Sequence, residues 1–527
     1  MQSTRADEVS NNQSSPRATW KEWAGLATLA LPTLLIGVDM TVLHLAIPSL
    51  TADLQPTSTQ LLWIVDIYGF LIAGFLLTMG TLGDRIGRRK LLMIGAFAFA
   101  LASLFAAFST SAEMLILARA LLGIAGATLM PSTLSLIRNM FPDDSQRTFA
   151  ISIWMMSLIA GQALGPLVGG VLLTYFWWGS AFLIGVPVMG LLLILAPFTL
   201  PEYKAPNPGR IDLQSVALSL VTILSSIYAI KYLVREGFGL IAVLSLAVGL
   251  IVGWIFIRRQ QRLPEPMLDL KLFGNRVFSA LIAMHLLTMF MVAGMKFMGA
   301  QHLQLVLDLS PIQAGLWMVP IATGGVVGAL LASFFVRFIR PAYVISLNLG
   351  FAALGYGVLA QVDVSSGLSL LITGLVMATF SVTMITALTT DLIISSAPDD
   401  KVGSASGVCE TSAEFGIAMG IAVLGSISAV VYRFRLEGSM PEGVSSDAEA
   451  TATETLAGAV AVSSEMTGMP ASALLMTARD AFTDGLVVNA IVGLVTMLVL
   501  LVMCLSLLRH IPSTSSKPRE PQPAMDD

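Results

Sequence analysis

The chain has 527 residues, of which 55% are hydrophobic and only 12% charged, and its mean hydropathy is +0.81. Soluble domains carry about twice that share of charge, so the composition excludes an ordinary soluble enzyme or binding module and points to a chain whose solvent is the lipid bilayer. A net charge of −4 offers nucleic acid no basic surface; two cysteines, four scattered histidines and the lack of a Gly-x4-Gly-Lys-Ser/Thr loop leave no disulfide framework, metal, cofactor or ATP hydrolysis to expect.

Residues 1–21 are polar and mixed in charge, lack the basic start and cleavage site of a signal peptide, and read as a cytoplasmic tail. Apolar segments able to cross a hydrocarbon core roughly 30 Å thick follow at Trp23–Pro48, Leu61–Gly80, Leu91–Phe108, Met114–Ile137, Phe149–Thr174 and Ser180–Leu200. Two more, Leu213–Val234 and Leu240–Ile257, precede a polar linker from Arg258 to Arg276. A second set of six runs through Val277–Leu305, Ile312–Phe338, Ala342–Ala360, Leu368–Leu392, Val402–Val431 and Leu486–Leu508. The pattern predicts an all-α membrane protein: a six-helix bundle over 22–200, two inserted helices over 201–276, a second six-helix bundle over 277–508 and a cytoplasmic tail over 509–527, about fourteen membrane helices in all. Within the second bundle, an outer loop over 437–484 is rich in alanine and acids and broken by Gly468-Met-Pro470; it reads either as a helical hairpin or as a solvated loop. Arg85, Arg88, Arg89, Lys90, Arg138, Arg147, Arg258, Arg259 and Arg262 all fall on one side of this layout, which by the positive-inside rule puts both termini in the cytoplasm.

Charged residues at membrane depth carry the chemistry. Asp39 lies in span one and Asp66 in span two, and a carboxylate there costs about 2.5–3.5 kcal/mol on insertion scales, so it is normally hidden in a bundle or wet cavity and used. Span two ends in a glycine-rich basic turn holding Gly80, Asp84, Arg85, Gly87, Arg88 and Arg89. Arg119 in span four is a buried cation that either senses the proton or forms a fixed ion pair. In span five, Gly161, Gly165 and Gly169 repeat every four residues beside Pro166 and Gly170, a face for close helix contact with a proline that favours a bend. Span thirteen carries Glu410 and Glu414, four apart and so on one helix face, each either facing a cavity or holding helices together. Trp63, Tyr68, Trp154 and Trp317 offer π-faces for cations, although aromatics and the 27 methionines also serve simple packing. Pro142-Asp143-Asp144 before Gly161-x3-Gly165 recurs as Pro398-Asp399-Asp400 before Gly416-x3-Gly420, as expected of two related bundles.

The order Gly80-x-Leu82-x-Asp84-Arg85-x-Gly87-Arg88-Arg89 resembles the conserved loop of the major facilitator superfamily, and Gly161 to Gly170 resembles the motif that marks its drug and proton antiporters. The first-helix string Val38-Asp39-Met40-Thr41 to Pro48, with histidine at 44 where asparagine is more usual, joins Trp63 to Tyr68 and Arg119-Ala-Leu-Leu-Gly123 in resembling the fourteen-span QacA-type exporters of quaternary ammonium compounds. The resemblance implies the major facilitator fold in the cell membrane and efflux of lipophilic, mainly monovalent cations in exchange for protons; the sequence leaves the oligomeric state open, a monomer being compatible with it. Export of an endogenous metabolite, lipid or peptide-like compound is the alternative on the same scaffold. Two departures stand out: Lys296 inside span nine, where a free positive charge repels cationic drugs, and Thr323-Gly324-Gly325 in span ten, which supplies no acid for a second drug charge.

Overall fold

A computed structural model describes residues 18–508 apart from 205–211, 237–238, 264–265, 267, 269, 336–337, 365–366, 397–401, 442–443 and 467–468. The described residues form helices and no strand, which is how a chain bonds its own backbone groups where no water reaches them. In order they are α1 (Trp20–Leu54), α2 (Ser58–Ile86), α3 (Arg88–Ala107), α4 (Ala112–Gly126), α5 (Leu129–Met140), α6 (Asp144–Tyr175), α7 (Ser180–Leu183), α8 (Gly185–Thr199), α9 (Leu213–Glu236), α10 (Leu240–Arg262), α11 (Arg276–Gln301), α12 (Pro311–Phe335), α13 (Pro341–Leu359), α14 (Gly367–Ser395), α15 (Val402–Glu437), α16 (Ser446–Glu454), α17 (Leu456–Glu465) and α18 (Met469–Leu507). Among the described residues thirteen helical segments are long and apolar enough to cross a membrane, with α4 and α5 counting as one; the described apolar part of α9, Leu213–Ala229, is shorter.

The first six spans pack chiefly on one another, as do α11 to α15 with α18, and the two sets meet along α6 with α12, α2 with α15 and α1 with α11. The glycines explain the closest approaches. A Cβ on Gly161 or Gly165 would strike the Leu34 or Val38 carbonyl of α1, and one on Gly416 or Gly420 the Leu286 or Phe290 carbonyl of α11. The repeated glycine pairs thus do the same work in each half, seating the fifth span on the first. Asp143 caps α6 by accepting from the Gln146 N–H at 2.9 Å; Pro398-Asp399-Asp400 lies outside the described residues.

The inserted pair α9 and α10 pack on each other, and α9 rests on both α2 and α15. Leu240, Val243, Leu250, Ile251 and Trp254 of α10 stay exposed, an apolar face suited to lipid. At their shared end Arg259 donates to Asp212 at 2.8 Å and Gln260 to Ser215 at 2.7 Å.

The 437–484 region departs from a simple loop. It folds into α16 and α17, and α18 begins at Met469, well before the expected Leu486. Alanines at 471, 473, 478 and 481 favour helix, and Pro470 sits in the first turn, where no intrahelical N–H is required. This end of the molecule is closed. Glu454 accepts from the Ser58 N–H at 3.1 Å and its hydroxyl at 3.4 Å, Gln304 donates to the Leu45 carbonyl at 3.2 Å, and Gly170 abuts Ile312.

Candidate functional site

Asp39 is placed by the helix behind it. Gly161, Gly165 and Gly169 hold α6 against α1 over Leu34 to Val42, the turns that flank Asp39. Pro166 has no N–H to offer the Gln162 carbonyl four residues back. Thr41 of α1, whose hydroxyl also reaches the Gly37 and Val38 carbonyls of its own helix, donates to that freed carbonyl at 3.3 Å. The motif therefore fixes α1 by shape and by a polar contact two residues from the acid.

So held, Asp39 meets Arg119. The guanidinium donates from Nη1 to the Asp39 carboxylate at 3.3 Å and from Nε to the Ile64 carbonyl at 3.1 Å. Its central carbon lies 4.3 Å from the centre of the Tyr68 ring and 5.9 Å from that of Phe182. Asp39, Arg119 and Tyr68 are all buried. An ion pair in such surroundings is strong while both charges persist and costly when one is removed. Asp66 follows on α2, 1% exposed.

The remaining charges lie along α15 and α11. Glu410 and Glu414 sit four apart on α15, which packs on α2, the helix of Asp66 and Tyr68. Glu410 is exposed on α15. On α11, Lys296 is half-buried, and no carboxylate lies within ion-pair distance of it among the described residues. The ring of the buried His44 of α1 meets that of Phe297 of α11 edge-on at 5.8 Å.

The four aromatic candidates divide. Tyr68 joins the charged group; Trp63 is half-buried against the contact of α2 with α9 and α15. Trp154 is buried and donates to Thr133 at 3.1 Å, whereas Trp317 is left 42% exposed. The basic turn is a clamp. Gly87 adopts φ 113°, a conformation that favours glycine, and lets α3 begin at once. The unsatisfied Arg89 and Lys90 N–H groups then donate to the Glu202 carboxylate, both at 3.1 Å, Arg88 pairs with Asp84 at 2.6 Å, and Gly80 packs near Pro131. Sequence reasoning missed Glu202, Thr41 and Gln162; Pro166 was the available signal for the last two, because an interior proline always frees the carbonyl four residues earlier.

Comparison with known proteins adds the family. The model of the Major Facilitator Superfamily matches residues 29–421. The chain belongs to the major facilitator superfamily. It is 41% identical over 485 residues to the multidrug efflux pump LfrA of Mycolicibacterium smegmatis, spanning 92% of this chain and 96% of that protein. It is 32% identical over 475 residues to the methyl viologen resistance protein SmvA of Salmonella typhimurium (88% and 93%), and 26% identical over 473 residues to the tetracenomycin C resistance and export protein of Streptomyces glaucescens (88% and 88%). A bacterial homologue of the human lysosomal transporter Spinster shares the fold at a TM-score of 0.66 and 17% identity, over 94% of this chain and 99% of that one. The protein is thus a multi-pass transporter of the cell membrane rather than an enzyme.

Proposed function

We propose that this transporter is a proton-coupled exporter of hydrophobic cations, chiefly monovalent ones such as quaternary ammonium antiseptics and dyes. One observation carries the reading: membrane-spanning helices of both halves carry acids, Asp39 and Asp66 on one side and Glu410 and Glu414 on the other, and Asp39 pairs with the buried Arg119. Such carboxylates exchange a proton for a cation, because burial disfavours their charged form and a bound cation restores it. The relative named as a multidrug efflux pump, similar over nearly its whole length, supports the direction and breadth of transport.

In the proposed cycle the basic end faces the cytoplasm, as the positive-inside rule requires. A lipophilic cation enters there and displaces a proton from Glu410, Glu414 or Asp66. Loss of the proton changes the charge around Arg119, the closed outer end parts, and a returning proton releases the drug outside. Exchange of one proton for one monovalent cation draws on about 1.4 kcal/mol per pH unit; a second proton lets the potential add roughly 2.3 kcal/mol per 100 mV.

The test is uptake of ethidium into everted vesicles with an acidic lumen. Accumulation that collapses with the pH gradient supports the reading; accumulation indifferent to the gradient contradicts proton coupling. Methyl viologen, a dication, belongs in the same panel because one relative is named for resistance to it. The lack of an acid at Thr323-Gly324-Gly325 favours the monovalent dye. A second reading, export of an endogenous compound, is favoured by the relative named for tetracenomycin C export; saturable export of neutral aromatic compounds, with no response to ethidium, would support it.

A further inference from the structure

We propose that the inserted helices α9 and α10 carry a site for an anionic phospholipid, its phosphate held at Arg258 and Arg262 and its acyl chains lying along α10. An open groove of about 660 Å³ runs between the two helices, with Gln214, Ala217 and Leu218 on the α9 side and Trp254, Arg258 and Arg262 on the α10 side. The last three recur every four residues and so share one helix face. Toward the other end of α10 that face continues through Ile251, Leu244 and Leu240, all exposed. Packing does not explain this face: among the described residues of α10 only Ala242, Gly249 and Gln260 are buried, and Gly249 and Gly253 meet α9 at Ser226 and Thr222. At 1.5 Å per residue the two arginines lie about 6 and 12 Å beyond the tryptophan. Apolar, aromatic and cationic levels thus follow one another in the order in which a phospholipid presents its chains, its glycerol and its phosphate.

Charge selects the headgroup. Arg259, which also lines the groove, is engaged by Asp212 and Ser215. Arg258 and Arg262 are exposed and have no ion-pair partner among the described residues. Elsewhere at this end arginines are committed, Arg88 to Asp84 and Arg89 to Glu202. The Arg258 guanidinium carbon lies 5.0 Å from the centre of the Trp254 ring, which keeps the cation beside the groove instead of extended into water. Three arginines therefore meet the one carboxylate of Asp212 here, leaving an excess of positive charge beside an apolar face. An anionic headgroup neutralises that excess, whereas a zwitterionic one brings a cation of its own, and basic pockets between membrane helices on the cytoplasmic side are suited to the former. The positive-inside rule puts this end in the inner leaflet. A lipid there also has mechanical purchase: α9 rests on α2 and α15, and Leu220, two residues past Leu218 of the groove, packs at Gly74 of α2.

The test is lipid binding to the full-length protein, delipidated in detergent and titrated with phosphatidylglycerol or phosphatidylcholine of identical acyl chains, with bound lipid counted by native mass spectrometry. The native protein is expected to hold a first phosphatidylglycerol about tenfold more tightly than phosphatidylcholine. Arg258→Gln combined with Arg262→Gln is expected to abolish the preference, and Arg258→Lys combined with Arg262→Lys to keep most of it. Arg138→Gln, at an exposed arginine of α5 on the same side of the membrane, is expected to leave it unchanged. Phosphatidylcholine binding equal to that of the native protein shows each variant to be folded, and the native and lysine results decide the matter if the glutamine variant is not. Glycerol 3-phosphate, the anion without the chains, is expected to bind about a hundredfold more weakly than phosphatidylglycerol, since it gains nothing from the apolar face. Native protein without a preference, a folded glutamine variant that retains it, an Arg138→Gln variant that loses it, or glycerol 3-phosphate bound as tightly as the lipid overturns the proposal. No cargo or gradient enters the measurement, so its failure is read separately from a failure of proton-coupled efflux.

Discussion

Asp39 and Arg119 form a buried ion pair in the candidate site, and their separate removal is unequal to their joint removal. Asp39→Asn leaves a buried guanidinium uncompensated, a loss expected at about 3–5 kcal/mol. The double variant Asp39→Asn with Arg119→Gln removes both charges and is expected to recover much of that stability while still failing to export ethidium. Thermal unfolding in detergent paired with dye export checks both parts, and a double variant that exports normally would remove the pair from transport. The sequence showed both residues as membrane charges but not that they meet: 80 residues separate them, and only the packing of α4 against α2 and of α6 behind α1 joins them. Lys296 was visible in the same way. His44 was visible too, as a departure from the more usual asparagine, but its contact with Phe297 was not, because the seam between the two halves leaves no local signature.

Helices and their spacing were largely legible, because an apolar run of membrane length has few alternatives. Contacts between helices were legible only where a residue type announces a need. The glycines of α6 announced close packing; the carbonyl freed by Pro166 announced a missing donor without saying that Thr41 supplies it. Thr41→Val is expected to cost about 1 kcal/mol by leaving that carbonyl poorly satisfied, measured as a lower unfolding midpoint; an unchanged midpoint would show that the proline bend needs no such support. The joint of α9 with α10 gives a pH-dependent counterpart. Burial works to raise the Asp212 carboxyl, but hydrogen bonds from Arg259 and Ser215 outweigh it and hold the group below the usual carboxylate range. A depressed folded value means that the contact contributes fully above the ordinary carboxylate pKa of about 4 and is lost as pH falls through the lowered value. The stability gap between native protein and Asp212→Asn should therefore be constant from pH 7 to 5 and close in stronger acid. A gap that does not narrow at all as the pH falls below the ordinary carboxylate range would contradict this.

At the scale of the molecule, the two halves are joined at the end where α16 and α17 lie. The alanine-rich stretch there was legible as helix-compatible, but not as a cap, since the Glu454 carboxylate reaches Ser58 on a helix far away in sequence. Charge-assisted hydrogen bonds contribute about 1.5–3 kcal/mol, so Glu454→Gln should favour opening by about tenfold. The reporter is the rate at which a membrane-impermeant maleimide reaches a cysteine introduced at Leu62, the two native cysteines being buried; an unchanged rate would mean that the cap does not restrain the seam. The larger claim is that the acids gathered at membrane depth trade a proton for a cation. Its most direct test is proton release from acid-loaded everted vesicles on addition of ethidium, for native protein and Asp66→Asn at matched protein levels. Prompt release by the native protein and none by the variant is the predicted result. Release that survives in Asp66→Asn removes this acid from the exchange, and native vesicles that take up ethidium without releasing protons contradict the account.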